Sequence, residues 1–182
     1  MPPATAVPEP RSRTEERRDQ VLAAAVAEFA EHGFYGSSTT GIAQRAGISQ
    51  PYIYALFPSK KALFMAAYSR VVESLWNSLS EAGRDAASPR DALVRMGAAF
   101  MRLLGEREEL MCQLQGYAAA GDPEIRAHVR REFTALFDAL VDMTGASRDD
   151  VAQFTAGGMF FTVAGALDVP ETYWPKPPYG DE

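Results

Sequence analysis

An all-α fold is predicted by three observations. Helix-start and helix-stop signals recur along the chain, apolar residues repeat at three- and four-residue spacing, and period-two runs of β-branched residues are absent. At 182 residues and 47% hydrophobic content the chain can bury a sizeable core. Eight of its twelve prolines fall near the two ends, where they interrupt helix and strand alike. The expected organisation is a disordered tail over 1–12, a helix-turn-helix domain over 13–58, a larger helical domain over 59–169 and a Pro-rich tail over 170–182.

The first helix is expected from about Arg13, with Val21, Leu22, Ala25, Val26 and Phe29 on one stripe and Gly33 as its stop. Ser37 or Ser38 can cap a short helix carrying Ile42, Ala43 and Ala46, which Gly47 ends. Ser49 can cap a second short helix bearing Ile53, Tyr54 and Leu56, which stops at Phe57 because the residue before Pro58 is pushed out of helical geometry. Two short helices joined by a glycine turn make a helix-turn-helix unit.

Ser59 opens a long helix to about Ala82, and Ser88-Pro89 and Asp122-Pro123 each combine a cap with a proline in the first turn. Between those two starts a further helix is expected from Glu108 to Ala119. Ser147 with Asp150 opens the last helix, to about Leu167, which is apolar nearly all round and therefore needs cover on more than one side.

A formal net charge of -6 argues against a nucleic-acid partner until its distribution is considered. Up to position 70 there are eight basic and six acidic residues, leaving ten against eighteen beyond. No carboxylate occurs from His32 to Lys61, so that window is the candidate DNA face. Within it Ser49 places helix-start amides where phosphate is favoured, and Gln50, Pro51 and Tyr52 come nearest the base edges. Gln50 can pair with adenine, while Pro51 or Tyr52 can touch a thymine methyl. Ser38, Thr39 and Thr40 can donate to phosphates, although Ser38 also suits a simple cap. Lys60 and Lys61 sit in a first helical turn, opposing the macrodipole unless an anion lies close.

Trp76, Met96, Phe100, Met101, Leu104, Met111, Phe133 and Phe137 are candidates for the wall of an apolar ligand cavity, with Gln115, Tyr117 and His128 as polar markers. Ordinary core is the competing reading for each, and a surface position is the competing reading for His128. In the last helix, Phe154, Phe161 and Val163 with the small Gly157, Gly158 and Ala164 offer apolar cover and close approach for a dimer interface, and the helix from Asp122 is expected beside it.

The single Cys112 forms no intrachain disulfide, and the supply of His32, His128 and Cys112 disfavours a metal site. No cofactor is expected. No nucleophile-elbow glycines flank a serine, so a hydrolase is disfavoured. The absence of a long apolar run and of a basic-then-apolar start predicts a cytoplasmic protein without a membrane partner.

From Val21 to Leu63 the sequence resembles the DNA-binding domain of the TetR family of transcriptional regulators. The residues that carry this are Ala24-Ala25, Phe29, Gly33-Phe34, Ser38, Ile42-Ala43, Ala46-Gly47-Ile48-Ser49, Tyr54, Phe57, Ser59-Lys60 and Leu63. Beyond them, Gln115-Gly116-Tyr117-Ala118 and Asp122-Pro123-Glu124-Ile125-Arg126 are similar to some members more loosely. Pro51 departs from the small residue or glycine common at its position.

The resemblance implies an Ω-shaped homodimer closed by its last two helices, phosphate contacts from Tyr54 and Lys60, and no catalysis. It implies repression of a double-stranded DNA operator relieved by a small-molecule effector, so that 59–169 serves ligand binding and dimerisation. The alternative is a helical ligand-binding or interaction protein without operator binding. Activation is also compatible, since a fold does not set the sign of regulation.

Overall fold

The computed structural model describes residues 13–175, and they are helical throughout. Helix α1 (Arg13–Gly36) leads to α2 (Thr39–Ala46), α3 (Gln50–Leu56), α4 (Lys60–Gly83), α5 (Pro89–Leu103), α6 (Arg107–Ala118), α7 (Pro123–Thr144) and α8 (Arg148–Ala166). A single 3-10 turn, Glu171–Tyr173, follows. Among the described residues there is no strand. The tail expected over 1–12 lies outside them, as do residues 176–182.

Local signals explain most boundaries. Ser38, rather than Ser37, caps α2, its hydroxyl accepting from the Gly41 amide at 3.0 Å. Ser59, Ser88, Asp122 and Ser147 cap α4, α5, α7 and α8 in the same way. Ser49 stands at the cap position of α3, but its side chain makes no capping bond, which corrects the expectation. Gly33 leaves the helical region at φ 67°, so α1 is broken there and resumes for one short turn to Gly36. Gly47 takes the left-handed conformation at φ 64° that lets α2 turn into α3.

Phe29 of α1 is fully buried and meets Phe64 of α4 edge-on, with ring centroids 4.9 Å apart. Ile42, Ala43, Ile53, Leu63 and Val21 close around them. Burying each such large side chain contributes about 1.5–3 kcal/mol before entropy is counted. This core does not stop at residue 58. It continues through Ala67, Tyr68 and Val71 of α4 to Cys112 of α6 and Ile125 and Val129 of α7. The first half of α4 therefore belongs to both parts of the molecule.

A second core gathers Leu79, Leu93, Met96, Leu140, Ala146 and Val151, from α4, α5, α7 and α8 and the turn before α8. Of the segment read as a C-terminal tail, residues 170–175 fold back. The Trp174 indole N–H donates to the Val169 carbonyl at 2.9 Å, and its ring lies 5.5 Å from that of Phe161.

Candidate nucleic-acid interface and ligand cavity

The candidate DNA face is built where the N-terminus of α2 meets α3. Ser38, Thr40, Ser49, Gln50, Pro51, Tyr52 and Tyr54 are exposed, Tyr54 by 48% and Tyr52 by 38%. Thr39 differs, being only 6% exposed. Its hydroxyl oxygen accepts from Gln50 Nε2 at 2.8 Å and lies 3.2 Å from the Tyr54 hydroxyl. A side chain buried in this way is not placed to meet a phosphate directly, so its predicted role is corrected to an internal one.

Lys60 and Lys61 part company. Lys60 Nζ donates to the Ser37 carbonyl at 3.1 Å and sits 4.9 Å above the Phe34 ring, holding the start of α4 against the start of α2. Lys61 turns the other way, 2.8 Å from Asp122 and 2.5 Å from Glu124. Those carboxylates are the anion that a lysine in a first helical turn requires, so Lys61 faces the larger domain instead of DNA. The hydrogen bond from Lys61 is also the leading reason that Asp122 ionises below the usual aspartate range.

The carboxylate-free window is a property of the sequence alone. Glu28 and Glu31 reach across from α1 to Arg45, which bonds Glu28 through Nε at 3.0 Å and Glu31 through Nη2. Glu28 is 5% exposed and also accepts from the Ser38 amide at 3.3 Å. This pairing raises the Arg45 pKa, the Glu28 hydrogen bond leading. Arg45 is thus part of the scaffold that holds α2 to α1.

A cavity of about 630 Å³ opens between α4, α5, α6, α7 and α8. Tyr68, Val72, Leu75 and Leu79 of α4 form one wall, with Phe100 and Met101 of α5 and Phe133 and Leu136 of α7 around them. Phe154 and Phe161 of α8 and Trp174 complete the apolar surface. Among the described residues, none that lines the cavity carries a charge. The main polar corner is made by Gln113, whose amide donates to the Tyr117 hydroxyl at 3.0 Å, and by Tyr68. Burial first, and then Tyr117, push the Tyr68 phenol far above its ordinary pKa, so it stays a neutral hydrogen-bonding group.

Of the cavity residues expected from sequence, Phe100, Met101, Tyr117 and Phe133 are on the wall. Met96 is fully buried in the second core, and Trp76 and Phe137 pack against that core. Met111 packs against the first core, and Leu104 lies over Gly165. Gln115 sits over Gly33, with its amide against the break in α1 and off the cavity wall. His128 bridges α7 to α4, its Nε2 lying 3.0 Å from both the Ser69 hydroxyl and the Met65 carbonyl.

The faces of α8 also differ from expectation. Phe154, Gly157, Gly158 and Phe161 border the cavity inside the subunit, and Ala164 is buried. The stripe left open is Ala152, Ala156, Phe160, Val163 and Leu167, at three- and four-residue spacing. A helix apolar on every side gives no pattern from which to choose the outward face. The wall residues missed from the sequence, above all Tyr68, Val72, Leu75 and Leu79, carry no local signal that separates a cavity face from a core face.

Comparison with known proteins agrees with this architecture. Residues 21–67 match the family described as bacterial regulatory proteins, tetR family. The chain is 29% identical over 161 residues to the HTH-type transcriptional activator FasR of Mycolicibacterium smegmatis, covering 88% of this chain and 73% of that one. A TetR-like transcriptional regulator from Rhodococcus sp. RHA1 superimposes with a TM-score of 0.70 at 26% identity, covering 90% of this chain and 91% of that one. The regulator FadR from Bacillus subtilis, solved in complex with stearoyl-CoA, has the same fold, with a TM-score of 0.68 at 18% identity over 82% of this chain and 88% of that one.

Proposed function

We propose that the chain, whose residues 21–67 match the tetR family of bacterial regulatory proteins, is a homodimeric repressor released from a palindromic operator by an apolar or amphipathic small molecule. The observation that carries this reading is one helix with two duties. Its first residue, Lys60, is tied to the start of α2, while Tyr68, Val72, Leu75 and Leu79 further along line the cavity. A ligand that displaces that wall acts on the same rigid element that holds the DNA-binding unit. It shifts the equilibrium only so far as it prefers one state over the other.

The ligand class follows from the lining. A cavity with mainly aromatic and aliphatic walls, no charge among the described residues and its main polar corner at Gln113, Tyr117 and Tyr68 suits a neutral chain or ring system with a hydrogen-bonding end. FadR of B. subtilis was solved with stearoyl-CoA. Here the uncharged wall suits an acyl chain rather than the phosphates of such a ligand, which would need cations or open solvent.

Tyr54 and Lys60 are the proposed phosphate contacts and Gln50, Pro51 and Tyr52 the base readers, with Ser38, Thr40 and Ser49 on the flanks. The proposed dimer face is the open stripe of α8 together with α7. Apolar side chains such as Phe160 (42% exposed) and Val163 (45%) on one helix face are better covered by a second subunit than left in water.

The test begins with selection of bound duplexes from a random pool. A two-fold symmetric consensus, loss of binding in Lys60→Ala and Tyr54→Phe, and release by long-chain alcohols or esters support the proposal. Failure to enrich any sequence would favour a ligand-binding protein without an operator. Increased transcription from the bound promoter would make the protein an activator.

A further inference from the structure

Thr39 is a hydroxyl residue of the candidate DNA face that the fold buries. It is the first residue of α2 and is 6% exposed, while its two hydrogen-bond neighbours, Gln50 and Tyr54 of α3, are open to solvent. Gln50 Nε2 donates to Thr39 Oγ1 at 2.8 Å, and Oγ1 lies 3.2 Å from the Tyr54 hydroxyl. A threonine hydroxyl has one proton and two acceptor positions. With one acceptor position taken by Gln50, donation to Tyr54 is the arrangement that leaves no buried hydroxyl proton unpaired.

We propose that Thr39 is a positioning residue for base readout, acting through Gln50 and not by touching DNA. Pinning one amide N–H of Gln50 leaves its second N–H and its carbonyl oxygen free on the exposed side. Those two groups match N7 and the N6 amino group of adenine in the major groove. Without the Thr39 hydrogen bond, Gln50 must be ordered on binding, at the cost of its rotamer freedom.

The inference rests on operator binding as proposed above. A duplex enriched from a random pool by the wild-type protein is the probe, together with versions in which each adenine is replaced in turn and a random duplex of equal length. Binding constants are measured at two salt concentrations for wild type, Thr39→Val, Thr39→Ala, Thr39→Ser and Gln50→Ala. Gln50→Ala should abolish a preference on the order of tenfold or more at one symmetric pair of adenines. Thr39→Val and Thr39→Ala should lower that same preference severalfold, and Thr39→Ser should restore it. Affinity for the random duplex and its salt dependence should be unchanged in the three Thr39 variants.

Equal weakening on every duplex in both Thr39→Val and Thr39→Ala would overturn the inference, since it would mark a direct backbone contact or a damaged fold. An unchanged adenine preference in those variants would overturn it too. If the wild-type protein enriches no sequence, the operator-binding proposal fails and this one with it.

Discussion

Lys61, in the first turn of α4, lies 2.8 Å from Asp122, the residue that caps α7. The helix that begins at the DNA face and the helix that bounds the ligand cavity are therefore joined at their starts, 61 residues apart in sequence. Asp122 does two things at once, since its other oxygen accepts from the Glu124 and Ile125 amides at 2.9 and 3.2 Å. Asparagine can keep the cap while removing the charge.

Asp122→Asn should accordingly lower the melting temperature at neutral pH without shortening α7. Because the folded-state pKa of Asp122 is depressed, the stability it contributes is present above its ordinary value of 3.8 and is lost as pH falls through the depressed value. The difference in melting temperature between wild type and variant should therefore hold down to about pH 4 and begin to shrink only below it. Melting curves at intervals from pH 7 to pH 3 measure it. A difference that stays constant over that range would mean that Lys61 contributes nothing to the role of this residue.

Gly116 of α6 lies so close to the Tyr68 ring that a methyl group at that position would overlap it. Gly116→Ala should destabilise the protein by about 1–3 kcal/mol, read from the urea midpoint, in spite of the better helix propensity of alanine. Gly157→Ala in α8 meets nothing within 4 Å and serves as the control. It should be neutral or slightly stabilising. Equal effects of the two substitutions would show that Tyr68 yields without cost.

On the proposed reading, the two adjacent phenylalanines of α8 divide the subunit interface from the ligand cavity. Phe160 is on the open stripe and Phe161 borders the cavity. Phe160→Asp should convert the dimer to monomer in sedimentation with the fold retained, while Phe161→Asp should reduce ligand affinity, and stability with it, more than it changes mass. The reverse pattern would put the subunit interface on the other face of the helix.

How far the sequence could be read depended on how local the signal was. Caps, glycine stops and Ser-Pro or Asp-Pro starts are written within four residues of where they act, so the helix order followed from them. The helix-turn-helix unit was legible for the same reason, and a run of residues at fixed spacing supported it. Charge was misread because Glu28 and Glu31 precede the carboxylate-free window in sequence yet fold onto Arg45 within it. Lys61 was ambiguous because its partners lie on another helix. The cavity wall was only partly foreseen: Phe100 and Met101 face the opening while Met96, one turn before Phe100, faces the core. Nothing in residue type distinguishes them.

Trp174 offers the most direct view of the cavity, because it is a wall residue contributed by a segment that sequence pattern assigned to a tail. Its indole N–H is held by the Val169 carbonyl, and its ring rests on Phe161. The only other tryptophan, Trp76, packs against the second core and does not border the cavity. A Trp76→Phe variant therefore leaves a single tryptophan, at the candidate ligand cavity. Titration with a long-chain alcohol or ester should shift its emission to shorter wavelength as solvent around the indole is replaced by hydrocarbon. The same titration against labelled operator should release DNA over the same concentration range, because both follow one binding event. Trp174→Ala should weaken the ligand several-fold while leaving operator affinity without ligand unchanged. If the emission does not move while DNA is still released, the ligand enters elsewhere, and the 170–175 segment is a structural cover only.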